Sequence, residues 1–189
     1  MGSMSEGDAM VDAELVLKFK GGEESAFEAL VKKYMKDAYS FCMRLTHDAQ
    51  EAEELSQMGF VSAYRALRGF RGESSFKSWL YRIFINHYRD RMRRTRRADA
   101  RLQVVREEAE RRQAVEVEQS SIQAAELADL VKAKVELLPD RQREVLVLHL
   151  YQGLDYHEIA GALGCTYDDV KMNLCLARKR LKEELREYL

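Results

Sequence analysis

Residues 155–170 read DYHEIAGALGCTYDDV, and this stretch decides the fold of the last third of the chain. Asp155 and Glu158 form an Asp-x-x-Glu pair suited to the start of a helix, where side chains satisfy free backbone N–H groups. Gly164 supplies the tight turn that ends this helix, and Thr166 caps the next one. The stretch therefore predicts two helices joined by a short glycine turn.

Both sides of this turn extend into longer helical patterns. Pro139 lies at the first position of a preceding helix, where proline is tolerated, and that helix ends before Gly153. The helix after the turn repeats apolar residues at helical spacing, which makes one buried stripe. The stripe consists of Val170, Leu174, Ala177, Leu181 and Leu185. We expect a helix-turn-helix from Pro139 to Leu185, suited to a DNA groove or simply a helical hairpin with a charged outer face.

The composition favours a helical, globular chain. Its 189 residues suffice for one domain or two small ones, and 46% hydrophobic with 33% charged residues excludes a disordered tail. Glycine and proline are absent between Glu73 and Leu138, so we expect an all-α fold. No apolar run approaches the roughly 20 residues that span a bilayer.

The cysteines and histidines are too scattered to predict a reactive or metal site. Cys42, Cys165 and Cys175 form no Cys-x-x-Cys pair, and the four histidines are likewise dispersed. A zinc site needs about four clustered ligands, so we expect no metal, no cofactor and no catalytic residue. Free thiols persist in the cytoplasm, which is the compartment that we predict.

A strongly basic segment stands out in a chain whose net charge is only −1. Residues 65–97 contain eleven lysines and arginines against two acids. Arg82, Asn86, Arg89 and Arg93 fall on one helical face, with an aromatic and aliphatic face opposite. This arrangement predicts contact with a polyanion, although a charge run alone usually marks a solvated face.

The loop before this basic helix combines aromatic, cationic and hydroxyl side chains. Between Gly69 and Trp79 these are Phe70, Arg71, Ser74, Phe76 and Lys77. Unstacked bases bind such groups, because bases stack on aromatic faces and bond to donors and cations. The alternative is that Phe76 and Trp79 are core anchors that fix the loop.

Two further helices are predicted upstream. The first carries apolar residues at helical spacing, namely Phe27, Leu30, Val31, Tyr34, Ala38, Phe41 and Leu45. The second opens on an acidic cluster, namely Asp48, Glu51, Glu53 and Glu54, and continues through Leu55 and Phe60. The acids suit the positive end of a helix dipole, and they also suit a basic protein partner.

Two groups of motifs resemble one known family. The run AEELSQMGFVSAYRAL at 52–67, followed by FRGESSFKSWLYRI at 70–83, is similar to domain 2 of extracytoplasmic-function (ECF) sigma factors. The runs LPDRQREV at 138–145, IAGALG at 159–164 and ARKRL at 177–181 resemble sigma domain 4. The motifs occur in the family's order and cover most of the chain.

The resemblance implies an ECF RNA polymerase sigma factor of the sigma-70 family. Such a protein binds core RNA polymerase, recognises the −10 and −35 promoter elements and initiates transcription of a stress- or signal-responsive regulon. The implied partners are core RNA polymerase, promoter DNA and an anti-sigma factor, and the protein catalyses no reaction. The implied architecture is a three- or four-helix bundle at 8–97, a linker at 98–123 and a helix-turn-helix domain at 124–189.

By position, the resemblance also implies three groups of contact residues. Those for core polymerase are Glu54, Leu55, Gln57 and Phe60. Those for the −10 element are Arg71, Ser74, Phe76, Lys77, Trp79, Arg82, Asn86 and Arg89. Those for the −35 element are Tyr167, Asp168, Lys171, Met172, Cys175, Arg178 and Lys179.

The chain departs from the family pattern at two places. Met58 follows Gln57 where the family usually has an acidic residue. The recognition helix begins YDDVKMN at 167–173 and lacks the arginine that commonly reads guanine, so we expect an unusual −35 sequence. Asp168 either accepts a hydrogen bond from cytosine or complements the helix dipole. Two other classes stay open: a helix-turn-helix regulator that acts without polymerase, and a sigma-like protein-binding decoy.

Overall fold

The computed structural model describes residues 6–106, 130–131, 133–186 and 188. Every regular element within these residues is helical, so the predicted all-α fold class is confirmed. Only 98–106 of the predicted linker at 98–123 is described, and the rest of that linker lies outside the described residues.

The N-terminal part contains four α-helices. They are α1 (Glu6–Lys20), α2 (Glu24–Thr46), α3 (Ala49–Ala66) and α4 (Phe76–Arg106), with a 3₁₀ turn at Leu67–Gly69 between the last two. Helices α2 to α4 follow the predicted periodicity, and α4 continues past residue 97 into the predicted linker.

Helix α1 is a feature that the sequence patterns do not predict. Its inward face carries the acid Asp12 beside the buried Val16 and Phe19, which interrupts the apolar period. Asp12 is compensated by α2, because Lys33 Nζ lies 2.7 Å from its Oδ1 and the Tyr34 hydroxyl donates to its other oxygen. A buried acid is tolerated only with such partners, so this pair of contacts fixes α1 on the bundle.

Three helices of the C-terminal part match the predicted signals, and the described residues 130–131 and 133–136 before them are also helical. They are α5 (Asp140–Leu150), α6 (Tyr156–Leu163) and α7 (Tyr167–Glu184). Reciprocal side-chain and backbone hydrogen bonds form capping boxes between Asp155 and Glu158, and between Thr166 and Asp169. Gly164 ends α6 at a φ of 62°, where a side chain would be strained.

Pro139 differs from its predicted place by one residue. It occupies the N-cap with a ψ of 141°, and α5 starts at Asp140. Its carbonyl oxygen accepts from the backbone N–H groups of Gln142 and Arg143 at 2.9 and 3.0 Å. Proline at the N-cap removes no helical hydrogen bond, so the helix start is unaffected.

The predicted apolar stripe of α7 is confirmed. Val170, Leu174, Ala177 and Leu185 are buried, and the partly buried Leu181 packs on the same core. The C-terminal helices also contact the N-terminal bundle, with α6 against α4 and α5 against α2. The two parts therefore form a continuous packed body within the described residues.

Gly59 lets α3 and α4 approach closely, and this yields a prediction. A Cβ atom at Gly59 would lie 2.1 Å from two ring atoms of Phe84. We expect Gly59→Ala to lower the free energy of unfolding by about 1–3 kcal/mol, because overpacking forces the helices apart. Urea denaturation followed by circular dichroism measures this change.

Gly161→Ala is the matched control, since Gly161 is also helical but a Cβ atom added there would meet no neighbouring atom within 4 Å. Alanine is more favourable than glycine in the interior of an exposed helix, so Gly161→Ala should raise the free energy of unfolding by about 0.5–1 kcal/mol. Equal effects of the two substitutions would contradict the packing argument.

Candidate nucleic-acid interface

Helix α4 separates a basic face from an apolar one, as its sequence predicts. Arg82, Asn86 and Arg93 are exposed, whereas Phe84 and Tyr88 are buried. The exposed side chains follow one another along the helix and carry positive charge outward. This face suits the sugar-phosphate backbone of a nucleic acid.

The loop before α4 forms one side of an open pocket. The pocket is lined by Phe70, Arg71, Ser74, Trp79, Arg82 and Gly161 of α6. Arg71 and Ser74 are exposed at its rim, and the Arg71 side chain lies 3.9 Å from Glu73 without close pairing. The pocket therefore offers a cation, a hydroxyl and an aromatic edge to a ligand from solvent.

Two aromatic residues predicted to contact DNA lie mainly in the core. Phe76 is 5% exposed and Trp79 is 7% exposed. Their ring centroids lie 5.7 Å apart, and Phe70 and Tyr34 lie at 5.1 and 5.5 Å from Trp79 and Phe76 respectively. The rings thus anchor the loop on the bundle, which is the alternative that the sequence left open.

Lys77 and Arg89 are also placed differently from the prediction, because the C-terminal helices cover them. Lys77 Nζ donates to the carbonyl oxygen of Gln152 at 2.6 Å and is buried. Arg89 donates through Nε and Nη2 to the two oxygens of Glu144 at 2.8 and 2.5 Å. Hydrogen bonding to Glu144 raises the pKa of Arg89, so the guanidinium stays charged.

Further polar contacts surround this pair. The Ser75 hydroxyl donates to the Glu158 carboxylate at 2.8 Å, and the Ser78 hydroxyl donates to the Glu158 carbonyl oxygen at 2.9 Å. The Tyr81 hydroxyl donates to Gln152 Oε1 at 2.5 Å. Sequence patterns do not predict these contacts of Glu144, Gln152 and Glu158, because the contacts join residues far apart along the chain.

The outward face of α3 also differs from the prediction. Leu55 is 2% exposed and lies in the core, and the half-buried Phe60 packs edge to face against Phe84, with 5.4 Å between the ring centroids. Leu55 therefore packs within its own bundle, whereas Phe60 stays partly exposed. The residues of α3 that do face solvent include Glu54, Gln57, Met58, Val61 and Tyr64.

Charges beside this face are partly neutralised by α4. Arg91 lies 3.0 Å from the carboxylates of both Glu51 and Glu54. Its hydrogen bond lowers the pKa of Glu54, and the pairing leaves Gln57 and the 50% exposed Met58 as the uncharged centre of the face. An uncharged, partly apolar centre with a charged rim is the composition of a protein interface.

The recognition helix α7 presents its predicted contact residues to solvent. All seven are exposed, namely Tyr167, Asp168, Lys171, Met172, Cys175, Arg178 and Lys179. The ring of His157 lies 4.8 Å from that of Tyr167, and Tyr156 lies 5.5 Å from it, so α6 supports the first residue of α7. Sequence patterns do not identify these two supporting residues.

The described residues offer neither a metal site nor a membrane span. They contain no group of three or more His, Cys, Asp or Glu side chains arranged to hold a metal ion. Among the same residues, no helix is both long and apolar enough to cross a membrane.

Two family models match the chain, in the order that its motifs predict. Residues 30–98 match the family described as Sigma-70 region 2, and residues 128–181 match Sigma-70, region 4. The RNA polymerase sigma-H factor of Pseudomonas aeruginosa is 33% identical, covering 94% of this chain and 95% of the relative. The ECF RNA polymerase sigma-E factor of Escherichia coli K12 is 28% identical, covering 96% and 98%.

A solved structure, CnrH in complex with the cytosolic domain of CnrY, has a similar fold. Its TM-score is 0.69 at 26% identity, covering 94% of this chain and 98% of that chain. A bundle with a basic helix followed by a helix-turn-helix, matched over nearly the full length, defines a transcription initiation factor. The chain belongs to the ECF class of the sigma-70 family.

Proposed function

We propose that this chain is the subunit that directs core RNA polymerase to stress- or signal-responsive promoters in the cytoplasm. The observation that carries this proposal is the combination of a loop-and-helix face and an exposed recognition helix, in the order of the two family regions. Nucleotide chemistry belongs to the polymerase, so the chain itself catalyses no reaction. If the chain were a regulator that acts without polymerase, the exposed face of α3 would have no function. If it were a protein-binding decoy, the exposed residues of α7 would have none.

The polymerase contact is best assigned to the solvent face of α3. Glu54, Gln57, Met58 and Val61 recur at helical spacing on this face and are exposed. Leu55 and Phe60 support the face from behind through the core. Met58 stands where the family usually has an acid, so we assign it an apolar contact with the polymerase.

This assignment predicts that Met58→Lys weakens core association by about tenfold or more, because it places in an apolar contact a charge opposite to that of the acid usual in the family. Met35→Lys is the matched control, since Met35 on α2 is 52% exposed and lies outside the face. Co-purification with core polymerase and run-off transcription from genomic fragments measure both variants. The proposal would be contradicted if both variants lost their association with core polymerase. It would also be contradicted if the parent chain supported transcription without associating with core polymerase.

Promoter opening is assigned to the exposed polar groups around the loop pocket. Arg71, Ser74 and Arg82 reach solvent there, while the buried aromatic rings hold the loop in place. An extruded base needs an edge donor and an aromatic surface, and the pocket supplies both. Phe76 then acts on DNA only through the loop that it anchors.

We expect Arg71→Ala to slow promoter opening more than it weakens the initial closed complex. One contact to an unstacked base is worth about 1–3 kcal/mol, so the opening rate should fall roughly five- to hundredfold. Permanganate reactivity of unstacked thymines measures opening. Arg65→Ala is the control, because it removes the same charge from α3 and should leave the rate of promoter opening unchanged. If Arg71→Ala and Arg65→Ala slowed opening equally, the effect would be one of net charge and not of a contact with the base.

The −35 contact yields two distinct expected signatures. Met172 offers an apolar contact to a base edge such as a thymine methyl, so Met172→Ala should change the preferred bases. Lys179 is a cation near the end of the exposed face, so Lys179→Ala should weaken binding to all DNA sequences alike. It should also reduce the slope of log affinity against log salt concentration by about one. Selection from a randomised −35 library distinguishes the two, and an unchanged preference in Met172→Ala would refute this register of α7.

We further propose that an anti-sigma factor holds the chain inactive until a signal arrives. CnrH, which shares the fold of this chain over nearly its whole length, is solved in complex with the cytosolic domain of a second protein, CnrY. The similarity extends over both parts of this chain, so a partner of the same kind has the same surfaces to bind.

A further inference from the structure

Helix α1 reaches both ends of the loop at 70–75, which joins the 3₁₀ turn to α4. We infer that α1 positions this loop for an extruded base: Lys20 holds its start, and Asp12 holds its end through Tyr34. This role rests on the proposed function, which assigns the loop pocket to such a base. Lys20, Asp12 and Tyr34 do not line the pocket, so they act as positioning residues. The match to Sigma-70 region 2 begins at residue 30, and α1 precedes it.

The start of the loop is held by the last residue of α1. The Lys20 ammonium donates to the carbonyl oxygen of Phe70, and its Nζ lies 6.0 Å from the centre of the Phe70 ring. One residue earlier in α1, the buried Phe19 ring has its centre 6.0 Å from the Arg68 guanidinium. Cations are attracted to aromatic faces, and a hydrogen bond from an ammonium is stronger than a neutral one. The end of α1 therefore restrains the backbone where the 3₁₀ turn passes into the loop.

Phe70 links this restraint to the pocket. Its ring is part of the pocket wall, and the ring centroid lies 5.1 Å from that of Trp79. Its carbonyl group belongs to the peptide unit that also contains the N–H and Cα atoms of Arg71, and a peptide unit is planar. Holding the carbonyl oxygen therefore orients the backbone from which the exposed Arg71 side chain extends at the pocket rim.

The end of the loop is held through the interior of the bundle. The Tyr34 hydroxyl donates to one carboxylate oxygen of Asp12, and Lys33 Nζ lies 2.7 Å from the other. Asp12 is 1% exposed, so water competes little for these bonds. The Tyr34 ring centroid lies 5.5 Å from that of Phe76, which is the first residue of α4. Asp12 thus fixes the ring against which the end of the loop packs.

The restraint should act on the choice of base more than on the attraction to DNA. Arg71 and Ser74 lie between the two held ends and are exposed, so the backbone alone decides how they face a base. If the loop adopts the binding conformation in only a fraction of the chains, the apparent dissociation constant rises by the inverse of that fraction. Base edges carry sequence information, whereas phosphate contacts do not. A loosened loop should therefore lose base preference first.

The single tryptophan of the chain, Trp79, reports on the loop in the free protein. It is 7% exposed and packs against Phe70 and Phe76, so acrylamide should quench its fluorescence poorly. We expect Lys20→Met to raise the quenching constant about twofold or more, because the start of the loop then opens more often. Lys20→Arg keeps a cationic donor and should restore the parental value.

Lys18→Met is the matched control. Lys18 is also an exposed lysine of α1, but it pairs with Glu14 on the same helix at 2.8 Å. Its removal changes the net charge equally and should leave the quenching of Trp79 unchanged. Tyr34→Phe removes the hydroxyl that reaches Asp12 and keeps the ring, so it should act in the same direction as Lys20→Met. Circular dichroism checks the fold of each variant, and the exposed Lys20 provides the test even if Tyr34→Phe unfolds.

The holoenzyme with core polymerase tests the consequence for DNA. A promoter found by run-off transcription is randomised over its −10 element, and open complexes are selected from this library. For Lys20→Met we expect the preference for the best base at the extruded position to fall about three- to tenfold, with an unchanged slope of log affinity against log salt concentration. A direct contact of Lys20 with phosphate would instead keep the base preference and reduce that slope by about one.

Two comparisons decide the outcome. If acrylamide quenches Lys20→Met no more than Lys18→Met, α1 does not hold the loop, and the positioning role is refuted. Greater quenching with an unchanged base preference also refutes it, because the base would then not depend on the held loop. Failure of the parent chain to support run-off transcription would instead refute the proposed function, whatever the quenching shows, so the two failures are distinguishable.

Discussion

Helix α4 is the element on which the rest of the structure depends, because its sides face the bundle core, the solvent and the C-terminal helices at once. One side of it fills the bundle core through Leu80, Phe84 and Tyr88, and another leaves Arg82 and Asn86 in solvent. A third side contacts α6. An α-helix has about 3.6 residues per turn, so three such sides have little room and must share positions.

The sides of α4 differ in the kind of contact that each one makes. The core side is apolar and aromatic, so it is stabilised by burial and does not exchange readily with water. The side facing the C-terminal part carries hydrogen bonds from Lys77 to Gln152, from Ser78 to Glu158 of α6 and from Arg89 to Glu144 of α5. Tyr81 joins the two sides, because its ring is buried while its hydroxyl reaches Gln152.

Sequence patterns predicted the elements of the fold better than the contacts of the site. The caps at Asp155 and Thr166 and the stripe of α7 are local features, set by residues three or four apart, and they were predictable for that reason. The burial of Leu55 and Phe76 depends on which helices lie opposite, and family position alone does not reveal it. Glu144 did leave a signal in the sequence, since it adjoins an apolar run and a buried acid requires a cation from elsewhere.

The distribution of charge suggests why a DNA-binding chain has a net charge of −1. Arginines of α4 are paired with acids of their neighbours: Arg91 with Glu51 and Glu54 of α3, and Arg89 with Glu144 of α5. These pairs reduce the positive field that the free chain presents to DNA, and weak fields mean weak sequence-independent binding. A stand-alone DNA binder would lose affinity by this arrangement. A polymerase subunit does not, because the polymerase delivers it to DNA, so internal neutralisation favours partner-dependent binding over independent binding.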